Sequence, residues 1–435
     1  MSTPTTSFGR EAAAALARSK NEPSWLVAWR EEAGELAQTL ELPKPEKTPI
    51  HRWTLDQYGT YRPGASAAAK AELPASIAAL LPTDANGPLI VQHNSSVTFI
   101  HLPEELKAKG VVLSSLEEAA RTHEKLVQDH LMTAYGKDEH KLSALHAALW
   151  NGGVFLYIPK NVEIEEPIQA LIFADDAEAT FMPHILVVAD TNSRVSFVEQ
   201  AATALESGNT TTLLLNGAVE IFSKAGAHVR YASVHHMDES VIDVSYRRAI
   251  LDNDARVEWI IGELHNGNIL TDTKSILKGN GSNSDAKIIS VGTGSQRMSL
   301  TTQAVHFGRG SESDMITRAV MKEEATAIIN GITKIEHGAT KANGQQTERV
   351  LMLSPKARGD ANPILLIDED DVKAGHAASV GQVNADQVYY LMSRGISRKE
   401  AERLIIHGFL DPVVSEIPLE GLREQLHRIL ERKLG

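Results

Sequence analysis

Hydrophobic residues recur at helical spacing near the beginning of the chain. Apolar positions at intervals of three and four residues predict an amphipathic helix after Glu22, namely Leu26, Trp29, Ala33, Leu36 and Leu40. Pro23 suits the first turn of this helix, and Pro43 lies beyond its end. The pattern up to residue 150 is mixed and predicts a helix over 65–81 split at Pro74, strands over 89–100, and helices over 115–135 and 141–150. We assign residues 1–150 to an N-terminal helical and mixed region.

From Val154 onward, short alternating apolar and polar segments replace the helical pattern. Representative segments are 241–250, 256–262, 286–291 and 298–307, and clusters of Gly, Asn and Ser separate them. A sandwich, a propeller and a parallel β-helix all contain such regular strands and turns. No propeller signature repeats at about 40 residues, and a sandwich of this length would be unusually large. We therefore predict a mainly β fold, with a right-handed parallel β-helix core over residues 151–363.

A helical region is predicted to close the chain over residues 364–435. Asn384 with Gln387, and Ser397 with Glu400, form two capping boxes. The first helix is expected to stop at Gly395 and the second near Gly408, with Pro412 beyond it.

Composition narrows the chemistry of the chain. The 435 residues include no cysteine, which excludes disulfides, thiolate nucleophiles and any cysteine-ligated metal centre supplied by this chain alone. A formal net charge of -13 disfavours nucleic-acid and anionic-membrane partners, because both would repel the chain. No apolar stretch reaches the roughly 20 residues of a membrane span, and no signal peptide precedes the first helix. We expect a cytoplasmic protein.

Segments in three parts of the chain resemble the SufB/SufD family, the paired scaffold proteins of the SUF iron–sulfur cluster assembly system. The N-terminal segments 22–26 (EPSWL) and 51–54 (HRWT) are similar to one family motif, and 152–168, which begins GGVFLYIPKNV, is similar to a second. The C-terminal segment Lys373–Gln382 (KAGHAASVGQ), followed by 389–396 (YYLMSRGI), resembles the most specific motif. The similarity extends over essentially the whole chain.

The resemblance implies a right-handed parallel β-helix between helical regions and a role as a non-catalytic scaffold. It implies a complex with a SufB-type scaffold and a SufC-type ATPase, on which iron–sulfur clusters form transiently. No cluster is expected to bind tightly to the isolated chain. The SufD-type branch fits better, because the SufB-type subunit supplies the cluster-binding cysteine. The chain departs from the family motif at Ala374, where a cysteine is common, and at 377–379.

His376 is the candidate cofactor-binding and metal-binding residue that this motif implies. A neutral imidazole is a competent ligand for iron, and mixed His/Cys ligation occurs in iron–sulfur centres. We hypothesise that His376 faces the SufB-type subunit and completes a shared cluster site. From spacing alone, a surface or helix-capping histidine is the alternative.

The other histidines and acidic residues carry less information. His235 and His236 are adjacent, so on a strand they face opposite sides and cannot both bind one metal ion. His228, His265, His306 and His337 either line one face of the β-helix or form a solvent-facing row. The acidic run 368–371 lacks the spacing of an EF-hand loop and is expected to be a solvated turn, with a weak role in iron entry as the alternative.

The C-terminal helix pair is the candidate docking surface, which the resemblance assigns to the ATPase. An apolar stripe with basic residues on its rim is expected there, and the predicted docking residues are Arg394, Gly395, Arg398, Glu400, Leu404, Ile405 and Phe409. Packing of the stripe on the end of the β-helix is one alternative. A DNA-binding helix-turn-helix is another, which the acidic balance disfavours.

Catalytic motifs are missing from the sequence. It contains no phosphate-binding Gly-x4-Gly-Lys-Ser/Thr loop, no His-Glu-x-x-His and no Gly-x-Ser-x-Gly. We therefore predict a protein that is not an enzyme. Two other functions stay open, a carbohydrate-active β-helix enzyme, which an aromatic content of 5% disfavours, and a homo-oligomeric structural protein. A homodimer of the isolated chain is likewise an open alternative.

Overall fold

Two long sheets form the centre of the protein. The computed structural model describes residues 9–81, 87–206 and 208–434. One sheet contains β1 (Leu89–His93), β2 (Ser96–His101), β5 (Ile168–Ala174), β7 (Arg194–Thr203), β9 (His228–His236), β11 (Arg256–Glu263), β13 (Asn283–Gly292), β15 (Glu312–Met321), β17 (Asn343–Met352) and β19 (Lys373–Gln382). The other contains β3 (Val112–Ser114), β4 (Val154–Ile158), β6 (His184–Ala189), β8 (Leu213–Ser223), β10 (Val241–Leu251), β12 (Ile269–Leu277), β14 (Arg297–His306), β16 (Thr326–Ile335) and β18 (Arg358–Ile367).

From β4 onward the chain alternates between these sheets, and each strand from β6 on pairs in parallel with the strand two places earlier. The first strands differ, because β2 pairs with β1 and β3 with β4 in antiparallel fashion, and β5 pairs in parallel with β1. The ten-stranded sheet has the order β19-β17-β15-β13-β11-β9-β7-β5-β1-β2, and the nine-stranded sheet the order β18-β16-β14-β12-β10-β8-β6-β4-β3. This arrangement is a parallel β-solenoid of about 8 turns. The predicted β-helix core with helices at both ends of the chain is therefore confirmed.

Equivalent side chains stack inside the solenoid. Phe197 pairs with Tyr231, and Tyr231 with Trp259, in successive strands of the ten-stranded sheet. Their ring centroids lie 5.5 Å and 5.3 Å apart. The indole nitrogen of Trp259 donates to Ser275 Oγ at 3.0 Å, so this buried polar group keeps a partner. Inward-facing positions thus fill the lumen one layer at a time.

The turns between the strands also stack closely. Gly279 and Gly308 occupy consecutive layers, and a Cβ on Gly308 would overlap the carbonyl group of Gly279. Only glycine allows the backbones to approach this closely. The Gly-rich clusters that predicted turns therefore also set the spacing of the solenoid.

Helices cover the outer faces of both sheets. The N-terminal helices are α1 (Arg10–Ser19), α2 (Ser24–Thr39), α3 (Ala75–Ala78), α4 (Glu104–Ala108), α5 (Leu116–Thr122), α6 (Glu124–Gln128) and α7 (Lys141–Leu149). Several of them pack against the nine-stranded sheet. The C-terminal helices α8 (Ala385–Ser393), α9 (Arg398–Val414) and α10 (Glu420–Leu434) follow β19, and α9 and α10 pack on the ten-stranded sheet.

The N-terminal helix predicted from Pro23 to Leu40 is confirmed as α2. Its buried Arg30 donates to both carboxylate oxygens of Glu22, at 2.7 and 2.8 Å, and to the carbonyls of Ala148 and Trp150. The guanidinium also lies 4.2 Å from the centre of the Trp150 ring. Helix α2 is therefore fixed to the C-terminal end of α7.

Two N-terminal predictions were wrong in detail. Residues 65–81 contain only a 3-10 turn (Lys70–Glu72) and α3, because the Ala-rich segment buries few side chains and packing outweighs helix propensity. The helix predicted over 115–135 is divided into α5 and α6 at His123, whose φ of -128° is not helical.

The strands continue beyond residue 363, where the helical region was expected to begin. β18 runs to Ile367 and β19 spans Lys373–Gln382, so the first C-terminal helix begins only at Ala385. The acidic run 368–371 lies between the two strands, and β19 consists largely of small residues. Hydrophobic alternation is therefore too weak there to predict a strand. The alternative interpretation of His376 as a helix-capping residue is wrong, because His376 lies within β19.

Both predicted caps of the C-terminal helices are present. Asn384 accepts from the backbone nitrogens of Asp386 and Gln387, and Ser397 forms a reciprocal capping box with Glu400. Helix α9 was predicted to stop near Gly408, but it continues through Pro412 to Val414. Pro412 cannot donate to the carbonyl of Gly408, yet burial of Leu410, Val413 and Val414 against the sheet holds the last turn.

Candidate functional site

The C-terminal end of the solenoid exposes a complete layer of strands. β18 and β19 are the last strands of their sheets, and each pairs with a neighbour on one side only. Leu366, Ile367 and Val380 in this layer are exposed large apolar residues. An edge with free backbone groups and apolar side chains is a template for pairing with another chain.

His376 lies in this last layer. It pairs in register with Gln346 of β17, whose side chain is buried and accepts a hydrogen bond from Thr333 at 3.0 Å. Residues paired in a parallel ladder face the same side of the sheet. His376 therefore occupies a lumen-facing position, and it is exposed because no further layer covers it.

Glu348 is a second polar residue near this end, and the sequence reasoning missed it. Its carboxylate lies against Gly331 of β16, where a Cβ would overlap it, and one of its oxygens has no hydrogen-bond partner. Burial raises the pKa of Glu348 to about 7. The sequence could have indicated Glu348 through its position two residues after Gln346, which places both side chains on the inward face of the strand.

We expect Glu348→Gln to stabilise the protein at high pH and to have little effect at low pH. The folded-state pKa of about 7 lies above the ordinary value of 4.5, so the wild-type free energy of unfolding falls as the pH rises between these values. The amide does not ionise. Thermal unfolding at about pH 5 and about pH 8 measures the difference, and an equal effect at both pH values would contradict this assignment.

The acidic run between β18 and β19 is used structurally. Glu369 accepts from the backbone nitrogens of Gly338 and Asp370, at 2.9 and 3.1 Å, and lies 3.6 Å from His337. Glu369 therefore links the turn between β18 and β19 to the turn that contains Gly338 in the preceding layer. The run 368–371 forms a turn, as predicted.

The predicted docking residues lie in and after the turn between α8 and α9, in differing environments. Gly395 has a φ of +87°, Glu400 caps α9, and Arg398 pairs with Glu402 at 3.0 Å. Arg394 lies over the ring of Tyr390, at 5.2 Å.

The apolar face of α9 differs from the predicted stripe. Ala401, Ile406 and Leu410 face the sheet, whereas Leu404 is 53% exposed and Ile405 half-buried. Phe409 is half-buried beneath the guanidinium of Arg318. The helix turns successive residues by 100°, so adjacent positions 404 and 405 do not share the face of 406. The exposed apolar side chains of the pair are Tyr389, Tyr390, Met392 and Leu404.

The remaining histidines do not form one row. His228 pairs with Glu258 on the outer face, His265 and His306 are buried, and His337 is exposed in a turn. The prediction that His235 and His236 face opposite sides is confirmed. His235 points into the lumen, and His236 contacts Arg432 of α10.

His235 belongs to a charged cluster inside the solenoid. Its Nδ1 lies 2.6 Å from Asp243 Oδ2 and 3.7 Å from Glu263 Oε2. Burial alone would lower the pKa of His235, but these carboxylates and that of Glu199 raise it to about 10. Arg247 donates to Glu263 Oε1 at 2.9 Å. The sequence did not predict this cluster, because its members come from four different strands.

A second buried polar group joins the solenoid to the N-terminal region. Glu220 of β8 accepts from the backbone nitrogens of Met132, Ala134 and Tyr135 and from His184 Nε2. His184 Nδ1 lies 2.9 Å from His146 Nε2. Burial lowers the pKa of His146 well below its usual value. Both carboxylate oxygens of Glu220 have partners, so this group is structural.

Comparison with known proteins identifies the family. A model described as the SUF system FeS cluster assembly, SufBD core domain matches residues 172–409, and a model of the SufBD protein N-terminal region matches residues 86–170. Within the described part of the chain, no helix is both long and apolar enough to span a bilayer.

Three relatives indicate the branch. The chain is 44% identical over 417 residues to the iron-sulfur cluster assembly protein SufD of Bacillus subtilis, with 95% of each chain covered. It is 28% identical over 332 residues to SufB of the same organism, with 76% of this chain and 70% of the relative covered. An iron-sulfur cluster assembly SufBD family protein of Staphylococcus epidermidis gives the same identity and coverage. The chain therefore belongs to the SufB/SufD family of iron–sulfur cluster assembly proteins and is more similar to its SufD relative than to its SufB relative.

Proposed function

We propose that this protein is a non-catalytic scaffold subunit for iron–sulfur cluster assembly, which pairs with a SufB-type subunit through the open end of its solenoid. The observation that carries the proposal is the uncovered layer of β18 and β19, with His376 at a lumen-facing position within it. The cluster is transient cargo of the complex in the cytoplasm and does not bind tightly to the isolated chain.

The composition of the chain supports a shared site. It has no cysteine, so thiolate ligands must come from the partner. His376 contributes an imidazole from the last layer, where a facing subunit brings its own side chains within reach. The cluster then forms between the two scaffold subunits, and His376 acts as one ligand.

The pair α8 and α9 is the proposed docking surface for a SufC-type ATPase. Tyr389, Tyr390, Met392 and Leu404 expose apolar side chains there, and Arg394 and Arg398 are also exposed. Aromatic residues and arginine are enriched in protein interfaces. The opposite face of α9 packs on the solenoid, so movement of the ATPase would be transmitted to the sheet.

Site-specific cross-linking tests the proposed pairing. Because the natural chain has no cysteine, Val380→Cys and Ile100→Cys each introduce a single thiol for a maleimide photo-cross-linker. The two residues are 41% and 40% exposed and lie on the strands at opposite ends of the same sheet. We expect Val380→Cys to cross-link to the SufB-type subunit and Ile100→Cys not to do so.

Two results would contradict the pairing. One is a cross-link to the SufB-type subunit from Ile100→Cys but none from Val380→Cys. The other is a cross-link from Val380→Cys only to a second copy of this chain while the SufB-type subunit is present, which would favour the homodimer.

A further inference from the structure

Four potential metal ligands converge inside the solenoid, well away from its open end. His235 lies on β9, Asp243 on β10 and Glu263 on β11, and His265 follows β11. All four are buried. Five strand spacings separate β9 from β19, which amounts to about 24 Å along the solenoid. This cluster is therefore distinct from the proposed site at His376.

Two ligand atoms in the cluster have no hydrogen-bond partner. His265 Nε2 lies 3.3 Å from the carbonyl of Asn268, to which it donates, so its Nδ1 carries a lone pair. That Nδ1 lies 3.9 Å from Asp243 Oδ2, which is also an acceptor. Neither His265 Nδ1 nor Glu263 Oε2 forms a hydrogen bond. Asp243 Oδ2 is paired with His235 Nδ1, whereas His265 Nδ1 and Glu263 Oε2 are buried acceptors without a donor, and a cation bound among these residues would satisfy both.

The formal charges of the cluster are unbalanced in the same direction. Glu199, Asp243 and Glu263 contribute three carboxylates, and Arg247 is the permanent cation that contacts them. With His235 protonated against Asp243, the group carries a formal charge of about -1 in a dry interior, where uncompensated charge is costly. A divalent cation that replaces the His235 proton would leave the group neutral.

The surroundings of the ligands fit metal binding. His235 Nε2 lies 3.5 Å from Glu199 Oε1 and 3.3 Å from Arg247 Nη2. When Nδ1 binds a metal, Nε2 carries a proton and donates to Glu199, which orients the imidazole. Ser233 Oγ donates to Glu199 Oε2 at 2.9 Å. Arg247 donates to Glu263 Oε1, so Glu263 Oε2 stays unpaired among the other ligands. Ser245 Oγ donates to Asp243 Oδ1 at 2.5 Å, so each ligand contacts a second group that orients it.

The separations between ligand atoms also fit one ion. They measure 2.6, 3.7 and 3.9 Å for His235–Asp243, His235–Glu263 and Asp243–His265. Ligand atoms about 2.1 Å from a common metal lie about 3.0–3.5 Å apart, so shifts of several tenths of an ångström suffice for these three pairs. The ligand atoms of His235, Asp243 and Glu263 all lie within 4.8 Å of one another, and His265 has to move further to join them from the side of Asp243. We infer that His235, Asp243, Glu263 and His265 bind one divalent first-row transition-metal ion. Two imidazoles with two carboxylates suit ions such as Fe²⁺, Mn²⁺, Co²⁺ and Zn²⁺. This inference goes beyond the proposed function, because the site needs no partner subunit.

Titration of the full, untagged chain with Co²⁺ tests the inference, with Fe²⁺ under anaerobic conditions as a second probe. We expect one ion per chain, visible d–d absorption, and imidazole ligation in the X-ray absorption spectrum of the wild type. Glu263→Gln and His265→Gln should each weaken binding at least about tenfold. His306→Gln is the matched control, because His306 is a buried solenoid histidine whose two ring nitrogens contact Ser311 and Ser313. It should bind as the wild type does.

Three outcomes would overturn the site. They are no stoichiometric binding by the wild type, a spectrum without imidazole ligands, and unchanged affinity in a folded Glu263→Gln or His265→Gln variant. Circular dichroism establishes which variants fold. If neither does, the wild-type spectrum and stoichiometry decide the question. Because none of these measurements uses cluster assembly, a failed metal site and a failed scaffold function are distinguishable.

Discussion

Glu220→Ala is expected to lower the free energy of unfolding by roughly 3–5 kcal/mol, the usual cost of removing one partner from a buried charged pair. The side chain is fully buried, and it accepts from three backbone nitrogens, those of Met132, Ala134 and Tyr135, as well as from His184. Alanine leaves these donors in a dry interior without an acceptor, at about 1–3 kcal/mol for each one that water does not reach. The loss would loosen the loop after α6 from β8. Urea unfolding measures the shift in midpoint.

Glu258→Ala is the matched control for this prediction. Glu258 also lies on a strand and pairs with His228, Arg230 and Arg256, whose side chains are partly exposed. Solvent reaches these three partners although Glu258 itself is buried, so its loss should cost less than that of Glu220, roughly 1–2 kcal/mol. Equal midpoints for Glu220→Ala and the wild type would show that the buried group does not anchor the N-terminal region.

The features that sequence predicted correctly depend on local patterns. The apolar spacing of Leu26, Ala33 and their neighbours was sufficient for α2, and the Ser397–Glu400 pair was sufficient for the start of α9. Alternating segments between Gly-rich turns predicted the solenoid, because each layer repeats the same physical requirement. The prediction failed at β19, whose small residues bury little apolar area, and at Pro412, which tertiary packing keeps inside α9.

The polar clusters required three-dimensional information. His235, Asp243 and Glu263 come from three strands, and nothing in the spacing indicates that they meet. Glu348 was missed because a single carboxylate in a strand usually faces solvent. His376 was selected through the family motif, and the solenoid adds that it lies in the uncovered layer. The sequence therefore indicated the candidate residue but not the surface that presents it.

His376→Ala is expected to reduce cluster assembly sharply while leaving the complex intact. The side chain is exposed in the last layer, so its removal leaves no buried cavity and should not affect folding. If His376 is a ligand at the site shared with the SufB-type subunit, its loss should decrease cluster retention at least about tenfold. His337→Ala is the matched control, because His337 is an exposed histidine in a turn of the same solenoid.

Anaerobic cluster reconstitution on the complex of this chain with SufB-type and SufC-type subunits tests directly whether His376 belongs to a shared cluster site. Iron, sulfide and visible absorption are measured per complex for the wild type, His376→Ala and His337→Ala. We expect equal complex formation in all three and a loss of cluster only in His376→Ala. Wild-type cluster content in His376→Ala would contradict the assignment of His376 to a shared cluster site.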